Sequence, residues 1–151
     1  MHASALLADL QTSLAGPGKV TPVEAWKALC EDAGSVLVDV RTLPEWQFTG
    51  QPDMSAARGR LLSISWKIYP HMGLNPQFEA ALRAEGVIPE TRLFFLCRSG
   101  GRSHDAAEAM QRAGFAHCFN VLGGFEGESD DLRHRGTRTG WKASALPWRQ
   151  S

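Results

Sequence analysis

The sequence predicts an α/β fold in which a parallel β-sheet lies between two layers of helices. The first observation behind this prediction is a series of short apolar runs, among them residues 36–40 and 93–96, which are typical of buried strands. The second is that these runs alternate with longer segments whose apolar residues recur every three or four positions, as in amphipathic helices. Strand–helix–strand units of this kind connect by right-handed crossovers, which makes the strands parallel.

Length and composition limit what the chain can be. Its 151 residues suffice for one domain with a real core, and a hydrophobic content of 43% is ordinary for a globular protein. The 16 basic and 16 acidic side chains give a formal net charge of zero, which argues against nucleic-acid binding. Neither a signal peptide nor an apolar run of membrane-spanning length is evident. We therefore expect a cytoplasmic protein with no nucleic-acid and no membrane partner.

The chain has three cysteines, Cys30, Cys97 and Cys118, and no C-x-x-C pair. An odd number of cysteines fits a reducing compartment better than a disulfide framework. His104 and His117 do not stand at zinc-ligand spacing from them, so we predict no metal and no cofactor. We interpret Cys30 and Cys118 as packing residues, although Cys118 could in principle resolve an oxidised Cys97 by forming a disulfide.

The first half of the chain begins with a helical stripe of leucines in residues 3–14, which ends at Gly16-Pro17-Gly18. We assign residues 1–18 to an N-terminal helix and linker that packs on the domain or binds a partner. A short strand at 19–20 precedes Thr21-Pro22-Val23-Glu24, a capping box that starts a helix. Further predictions are a strand at 36–40, one helical turn at 42–48, a loop at 50–59 and a strand at 61–65.

The second half continues the alternation. Residues 66–76 are predicted to be an irregular loop, followed by a helix that Gly86 ends. The strand at 93–96, a helix at 103–113, a strand at 118–122 and a weak helix from Phe125 to Leu132 complete a domain of residues 19–135. The tail, residues 136–151, carries Trp141 and Trp148, so we expect it to pack on the domain.

The richest chemistry lies in the loop after the strand at 93–96. Cys97 stands at the carboxyl end of that strand, a few residues before a helix. A strand–loop–helix unit aims backbone N–H groups and the positive end of the helix dipole into the loop, which favours a thiolate there. Cys97 is therefore the candidate nucleophile. The other candidate residues of this loop are Arg98, Ser99, Gly100, Gly101, Arg102 and Ser103.

The composition of the loop suits an anionic ligand. Gly100 and Gly101 allow positive φ angles and close approach of the backbone, and Arg98 and Arg102 place positive charge at the rim. We expect Ser103 to be the helix N-cap, with a hydroxyl that can also face the site.

Asp39 and Arg41 stand at the end of another predicted strand. In parallel sheets the ligand crevice lies beyond the carboxyl ends of the strands. We therefore expect both residues to lie at the same end of the sheet as Cys97. The alternative is that Cys97 is a buried strand-end cysteine beside exposed arginines, which leaves the glycines and arginines without a packing purpose.

The run Cys97-Arg98-Ser99-Gly100-Gly101-Arg102-Ser103 resembles the active-site loop of the rhodanese-like sulfurtransferases. Other stretches similar to that family occur in the family's order: Thr21-Pro22-Val23-Glu24-Ala25, then Asp39-Val40-Arg41 with Glu45-Trp46 and Gly50, then Asn120-Val121-Leu122-Gly123-Gly124-Phe125. The tail also looks like that of single-domain bacterial members. The resemblance covers roughly residues 19 to 127.

This resemblance implies a three-layer α/β/α domain around a five-stranded parallel sheet, and a thiosulfate sulfurtransferase-like activity. Cys97 would take a sulfane sulfur from a donor such as thiosulfate and pass it, as a persulfide, to cyanide, a thiol or a protein acceptor. Arg98 and Arg102 would orient the anionic donor, and Asp39 would brace the loop through a loop arginine. Arg41 would hold its neighbourhood together.

The resemblance has one departure. Residues 51–60 stand where the family commonly has a Gly-His-Ile-Pro-Gly-Ala-type run, so contacts of that loop are not carried over. We assign Glu45 a structural role, and we place Trp46, Trp66 and Phe125 in the core rather than in the pocket.

Two other functions compete with sulfur transfer. A loop that resembles those of cysteine phosphatases and arsenate reductases would have the spacing Cys-x5-Arg. Here only four residues separate Cys97 from Arg102, so the backbone N–H groups of the loop enclose a smaller space. A binding or sulfur-relay adaptor with this fold is the second alternative, in which the N-terminal helix and the tail would serve docking. The presence of Cys97 favours catalysis.

Overall fold

The centre of the fold is a sheet of five parallel strands. The computed structural model describes residues 16–150, so the helix predicted at 3–14 lies outside the described residues. The strands are β1 (Gly18–Val20), β2 (Val36–Asp39), β3 (Gln51–Pro52), β4 (Arg60–Ser63), β5 (Lys67–Ile68), β6 (Gly73–Leu74), β7 (Arg92–Leu96), β8 (His117–Val121) and β9 (Trp148–Arg149). The central sheet has the order β1-β8-β7-β2-β4, and every neighbouring pair in it is parallel. The predicted fold class is confirmed.

Helices cover both faces of this sheet. They are α1 (Pro22–Glu31), α2 (Leu43–Thr49), α3 (Phe78–Ala84), α4 (Gly101–Arg112) and α5 (Gly140–Ala143). Successive side chains of a strand point to opposite faces, so Val38 and Phe95 join one apolar cluster with α3 and α4. Leu37 and Phe94 join a second cluster with α1 and α5. The two clusters are the two halves of the core.

The capping box predicted for α1 is present. The Glu24 N–H donates to the Thr21 hydroxyl over 3.1 Å, and the Thr21 N–H donates to the Glu24 carboxylate over 2.9 Å. These bonds satisfy two N–H groups that the first turn of a helix leaves unpaired. The helix therefore begins where the sequence predicts.

The carboxyl ends of β2 and β7 lie side by side. Asp39 stands opposite Leu96 in the register, and the Val40 N–H donates to the Leu96 carbonyl over 2.8 Å. The residues that follow β2 and β7 are therefore neighbours at the carboxyl ends of the strands. Cys97 is the first residue after β7 at this end of the sheet.

Three segments differ from the predictions. Residues 67–74 form the hairpin β5–β6, not an irregular loop. Part of the predicted loop at 50–59 is the short strand β3, which pairs with β9 of the tail in antiparallel fashion. The weak helix predicted through Phe125 to Leu132 is absent, since Gly124 and Gly127 adopt φ of +62° and +75°, outside the helical range.

The tail of the described chain contributes to the core. Trp141 is fully buried, stands edge-to-face with Trp26 at 5.8 Å between ring centroids, and donates its indole N–H to the Pro147 carbonyl over 2.7 Å. The division of the chain at residues 18 and 135 stays a prediction. Among residues 16–150, no helix has the length and apolar character needed to cross a membrane.

Candidate active site

The site is built around Cys97, which follows β7 directly and precedes α4. The residue is 1% exposed, and its sulfur lies beside an apolar cluster on the α4 side of the sheet. Burial alone is what a packing cysteine would also show. The groups that surround the sulfur distinguish the two cases.

Two polar groups reach the sulfur from the start of α4. The Gly100 N–H donates to Cys97 Sγ over 3.1 Å, and the Ser103 hydroxyl oxygen lies 3.2 Å from the same atom. The N-cap of α4 is Gly100, with φ of +116°, a conformation that L side chains rarely adopt. The prediction that Ser103 is the N-cap is therefore wrong. Ser103 lies in the first turn of α4 and is fully buried, and its hydroxyl contacts the sulfur and Asn120.

Asn120 of β8 is a residue of this site that the sequence analysis did not single out. Its side-chain amide donates to the Gly100 carbonyl over 3.1 Å, and its oxygen accepts from the Ser103 hydroxyl over 2.6 Å. It is 5% exposed. The signal in the sequence is a polar amide within a predicted apolar strand, since a buried amide requires hydrogen-bond partners.

The turn after β8 supports the other side of the loop. The Phe125 N–H donates to the Cys97 carbonyl over 2.7 Å, and the N–H groups of Glu126 and Gly127 donate to the Arg98 carbonyl, each over 3.0 Å. A Cβ atom at Gly124 would collide with the Cys97 carbonyl oxygen and lie 2.7 Å from the Arg98 carbonyl carbon. Glycine at 124 is therefore required for the loop to rest on this turn.

Arg102 is held by Glu45 of α2. Its guanidinium donates to both carboxylate oxygens, over 2.8 and 2.9 Å, and both side chains are about one-fifth exposed. Burial raises the pKa of Glu45, but the hydrogen bonds and charge of Arg102, with the bonds from Thr42, outweigh it and hold that pKa at about 2. The hydrogen bond to Glu45 raises the pKa of Arg102 against the effect of burial, and the nearby Cys97 adds to the rise.

Asp39 does not brace the loop through a loop arginine, which corrects the prediction. Its carboxylate binds Arg41, with the closest contact at 2.7 Å between Asp39 Oδ2 and Arg41 Nη2, and both side chains are fully buried. Arg41 also donates to Thr49 and to the Gly50 carbonyl, each over 2.8 Å. Arg41 therefore ties the end of β2 to the end of α2, and Asp39 accepts its arginine hydrogen bonds from Arg41, two residues further along the chain, instead of from an arginine of the loop.

Arg98 and Ser99 form the exposed rim of the loop. Within residues 16–150, no hydrogen bond or ion pair involves the Arg98 side chain, so its positive charge is free. Ser99 borders a cleft of about 490 Å³ that Gly123, Thr139 and Gly140 also line. Gly101 is exposed as well.

The remaining candidates lie away from the sulfur or within the core. Cys118 is buried on β8, where burial raises the pKa of its thiol to about 12. Phe125 is fully buried, and Trp66 packs on the cluster around Cys97 with its ring edge-to-face to Phe78 at 5.1 Å. Across the described residues, no group of three or more His, Cys, Asp or Glu side chains is arranged to hold a metal ion.

Comparison with known sequences gives a family match over most of the chain. A family model described as the STR4 middle domain matches residues 18–151. An uncharacterized protein of Rickettsia rickettsii is 35% identical over 132 residues, which are 85% of this chain and 94% of that protein. The thylakoid rhodanese-like protein of Oryza sativa subsp. indica is 29% identical over 132 residues, covering 87% of this chain and 25% of that protein.

Solved structures show the same fold. Rv0390 from M. tuberculosis has 44% identity and a TM-score of 0.80, over 90% of this chain and 99% of that one. The polysulfide-sulfur transferase homodimer from Wolinella succinogenes has 21% identity and a TM-score of 0.61, over 99% of this chain and 90% of that one, which shows the fold alone. A family model matches most of the chain, and its relatives include a thylakoid rhodanese-like protein and a solved structure with the same fold; the chain belongs to the rhodanese-like family.

Proposed function

We propose that the chain is a sulfurtransferase that carries a sulfane sulfur on Cys97. The observation that carries this proposal is the setting of the Cys97 sulfur, which accepts a hydrogen bond from the Gly100 N–H beside the positive charge of Arg102. Donors and positive charge of this kind stabilise a thiolate and, after transfer, the charge of a persulfide. A cysteine kept only for packing needs none of them.

In the first half of the reaction the Cys97 thiolate attacks the outer sulfur of thiosulfate. A sulfur–sulfur bond to Cys97 forms while the bond between the outer sulfur and the sulfonate sulfur breaks, and sulfite leaves with that electron pair. In the second half, cyanide or a thiolate attacks the outer sulfur of the persulfide, and the Cys97 thiolate leaves. The cycle ends with the starting enzyme, and no cofactor or external reductant enters the balance.

The two arginines of the loop take different parts in this proposal. Arg98 is exposed and has no ionic partner in the part of the chain that the structure describes, which suits it to attract an anionic donor. Arg102 is bound to Glu45 through both carboxylate oxygens, so we assign it to holding the loop and to stabilising the charge on the sulfur. Because Cys97 is only 1% exposed, the loop must open slightly for a donor to reach the sulfur.

The donor and acceptor are proposed at the level of chemical class. Thiosulfate and polysulfide both offer a sulfane sulfur next to a negative charge, and the Wolinella succinogenes neighbour is itself a polysulfide-sulfur transferase. Cyanide, small thiols and a protein thiol are the acceptors we propose. Each cycle starts from and returns to a Cys97 thiolate, which a reducing compartment preserves, in line with the cytoplasmic location expected from the cysteine content.

The test is the intact mass of the protein after treatment with thiosulfate. We expect the wild-type chain to gain one sulfur atom that cyanide removes, and Cys97→Ser to gain none. Cys118→Ser is the matched control, since Cys118 is equally buried and should leave the gain unchanged. Failure of the wild-type protein to gain sulfur from either thiosulfate or polysulfide would contradict the proposal. Turnover of p-nitrophenyl phosphate that depends on Cys97 would favour a phosphatase instead.

A further inference from the structure

We infer that Asn120 is a positioning residue that controls how readily Cys97 ionises, because it determines where the hydrogen of the Ser103 hydroxyl points. The inference rests on the proposed function in that it concerns the same sulfur, and it adds a residue outside the loop that regulates it. Asn120 lies on β8, the strand next to β7. Its side chain is hydrogen-bonded to Ser103 and to Gly100, the two residues that contact the Cys97 sulfur.

The orientation of the Asn120 amide follows from its partners. The atom 3.1 Å from the Gly100 carbonyl must be the NH₂ group, since a carbonyl oxygen can only accept a hydrogen bond. The other end of the amide, its oxygen, therefore faces the Ser103 hydroxyl at 2.6 Å. An amide oxygen can only accept, so Ser103 must be the donor in this bond.

Ser103 has a single hydroxyl hydrogen, for which two acceptors compete. The Asn120 oxygen carries no hydrogen, so the 2.6 Å contact between the two oxygens requires the Ser103 hydrogen to lie between them. That leaves no hydrogen for the contact of 3.2 Å between Ser103 Oγ and Cys97 Sγ. Ser103 then presents lone pairs to the sulfur. The Ser103 oxygen can accept a hydrogen bond from a Cys97 thiol, but its lone pairs oppose a thiolate.

Negative charge on the sulfur draws the Ser103 hydrogen away from Asn120, at the cost of the hydrogen bond between Ser103 and Asn120. Asn120 thus keeps this hydrogen from the sulfur until charge develops there, and the same hydroxyl then becomes a donor. Removing the Asn120 amide frees the hydroxyl for the sulfur. The counterintuitive consequence is that the loss of a buried polar residue makes Cys97 easier to ionise.

Charged groups at this end of the sheet must also stay constant in a test. Arg102 of α4 contributes positive charge, with Glu45 of α2 bound to it. The ion pair of Asp39 and Arg41 stands at the end of β2, and Arg98 lies on the loop itself. Variants at 103 and 120 leave all five of these side chains unchanged.

The experiment measures the pH dependence of Cys97 alkylation by iodoacetamide, resolved by peptide mass spectrometry on the full chain. We expect Asn120→Ala to move the midpoint of the pH–rate profile down by about 0.5 to 1 pH unit, the equivalent of one neutral hydrogen bond. In a Ser103→Ala protein the same substitution should leave the midpoint unchanged, because Asn120 acts through the hydroxyl. Cys118→Ala, a change on the same strand, is the matched control with no expected shift.

An unchanged or raised midpoint in Asn120→Ala, or a shift of equal size in the Ser103→Ala background, would overturn the inference. Asn120→Leu keeps the side-chain volume while removing both polar atoms, so it replaces the alanine variant if circular dichroism shows that variant to be unfolded. The same samples are treated with thiosulfate. Expected alkylation shifts without sulfur gain count against the proposed function alone, whereas sulfur gain without the shifts counts against the role of Asn120 alone.

Discussion

Cys97 and Cys118 are equally buried, at 1% and 2% exposure, and belong to the same apolar cluster, yet their surroundings are opposite. The Cys97 sulfur accepts the Gly100 N–H at the point where the strand gives way to a helix. Within residues 16–150, the one hydrogen-bond partner of the Cys118 thiol is the Phe115 carbonyl, 3.5 Å away. Burial without donors raises the pKa of Cys118 to about 12. The difference teaches that the groups aimed at a buried sulfur, rather than its exposure, decide whether it can act as a nucleophile.

The sheet register also separates the two cysteines. Cys118 stands opposite Leu93 at the start of β7, four residues before Cys97. At about 3.3 Å per residue the separation along the strand is roughly 13 Å. A disulfide requires Cα atoms within about 7 Å, so Cys118 cannot resolve an oxidised Cys97 without unfolding of the sheet.

The largest expected effect is on alkylation of the cysteines in the native protein. At pH 8, a thiol with a pKa of about 12 carries roughly a thousandfold less thiolate than an ordinary cysteine. We therefore expect peptide-resolved labelling by iodoacetamide to modify Cys97 and the half-buried Cys30 while Cys118 stays unmodified. In guanidinium chloride all three should label alike. Native labelling of Cys118 as fast as Cys97 would remove the basis of the comparison.

Gly124→Ala tests the contact between the turn after β8 and the backbone of the Cys97 loop, a contact made to Cys97 and not to Cys118 in the part of the chain that the structure describes. The added Cβ collides with the backbone of Cys97 and Arg98, and φ of +62° is strained for alanine, so we expect a loss of about 3 kcal/mol in unfolding free energy. Gly114→Ala is the control, because Gly114 also has a positive φ but open space around it, and it should cost about 1 kcal/mol. Urea unfolding measures both. Equal losses in the two variants would show that the contact with the loop is unimportant.

Glu45→Gln should lower the unfolding free energy at pH 7 by about 2 kcal/mol, since Arg102 loses a charged partner in a partly buried site. The folded pKa of Glu45, about 2, lies below its ordinary value of 4.5, so the stabilisation is present above pH 4.5 and is lost as the pH falls toward 2. The gap between wild type and variant should therefore close over that range. Glu79→Gln, which breaks the exposed pair with Arg83, should show almost no gap at any pH.

Arg98→Ala carries the smallest expected effect. Its exposed charge attracts an anionic donor, so we expect the substitution to lower kcat/KM for thiosulfate about tenfold, mainly by raising KM. The loss should be smaller at high salt, because salt screens the charge. Arg98→Lys keeps the charge and should recover most of the loss. Steady-state kinetics at two ionic strengths provide the measurement, and an alanine variant that matches wild type would assign the donor contact elsewhere.

The fold and the position of Cys97 at the end of β7 were accessible from local patterns. The capping box at Thr21, the apolar strand before Cys97 and the glycines at the start of α4 each act over a few residues, so their sequence spacing is informative. The hairpin of residues 67–74 escaped prediction because its strands are two residues long and leave no period to detect. The helix predicted after Phe125 failed because the backbone there turns to support the Cys97 loop.

The sequence by itself determined the parallel α/β architecture, the edge of the sheet that carries the site and the cysteine at its centre, because hydrophobic periodicity and turn chemistry are local properties. Tertiary structure alone decided which arginine each carboxylate binds: Asp39 takes Arg41, and Glu45 takes Arg102 from 57 residues away. It also decided that Asn120 of β8 reaches Ser103 and Gly100 at the start of α4. Long side chains choose partners by distances in the folded chain, and those distances depend on strand order and register.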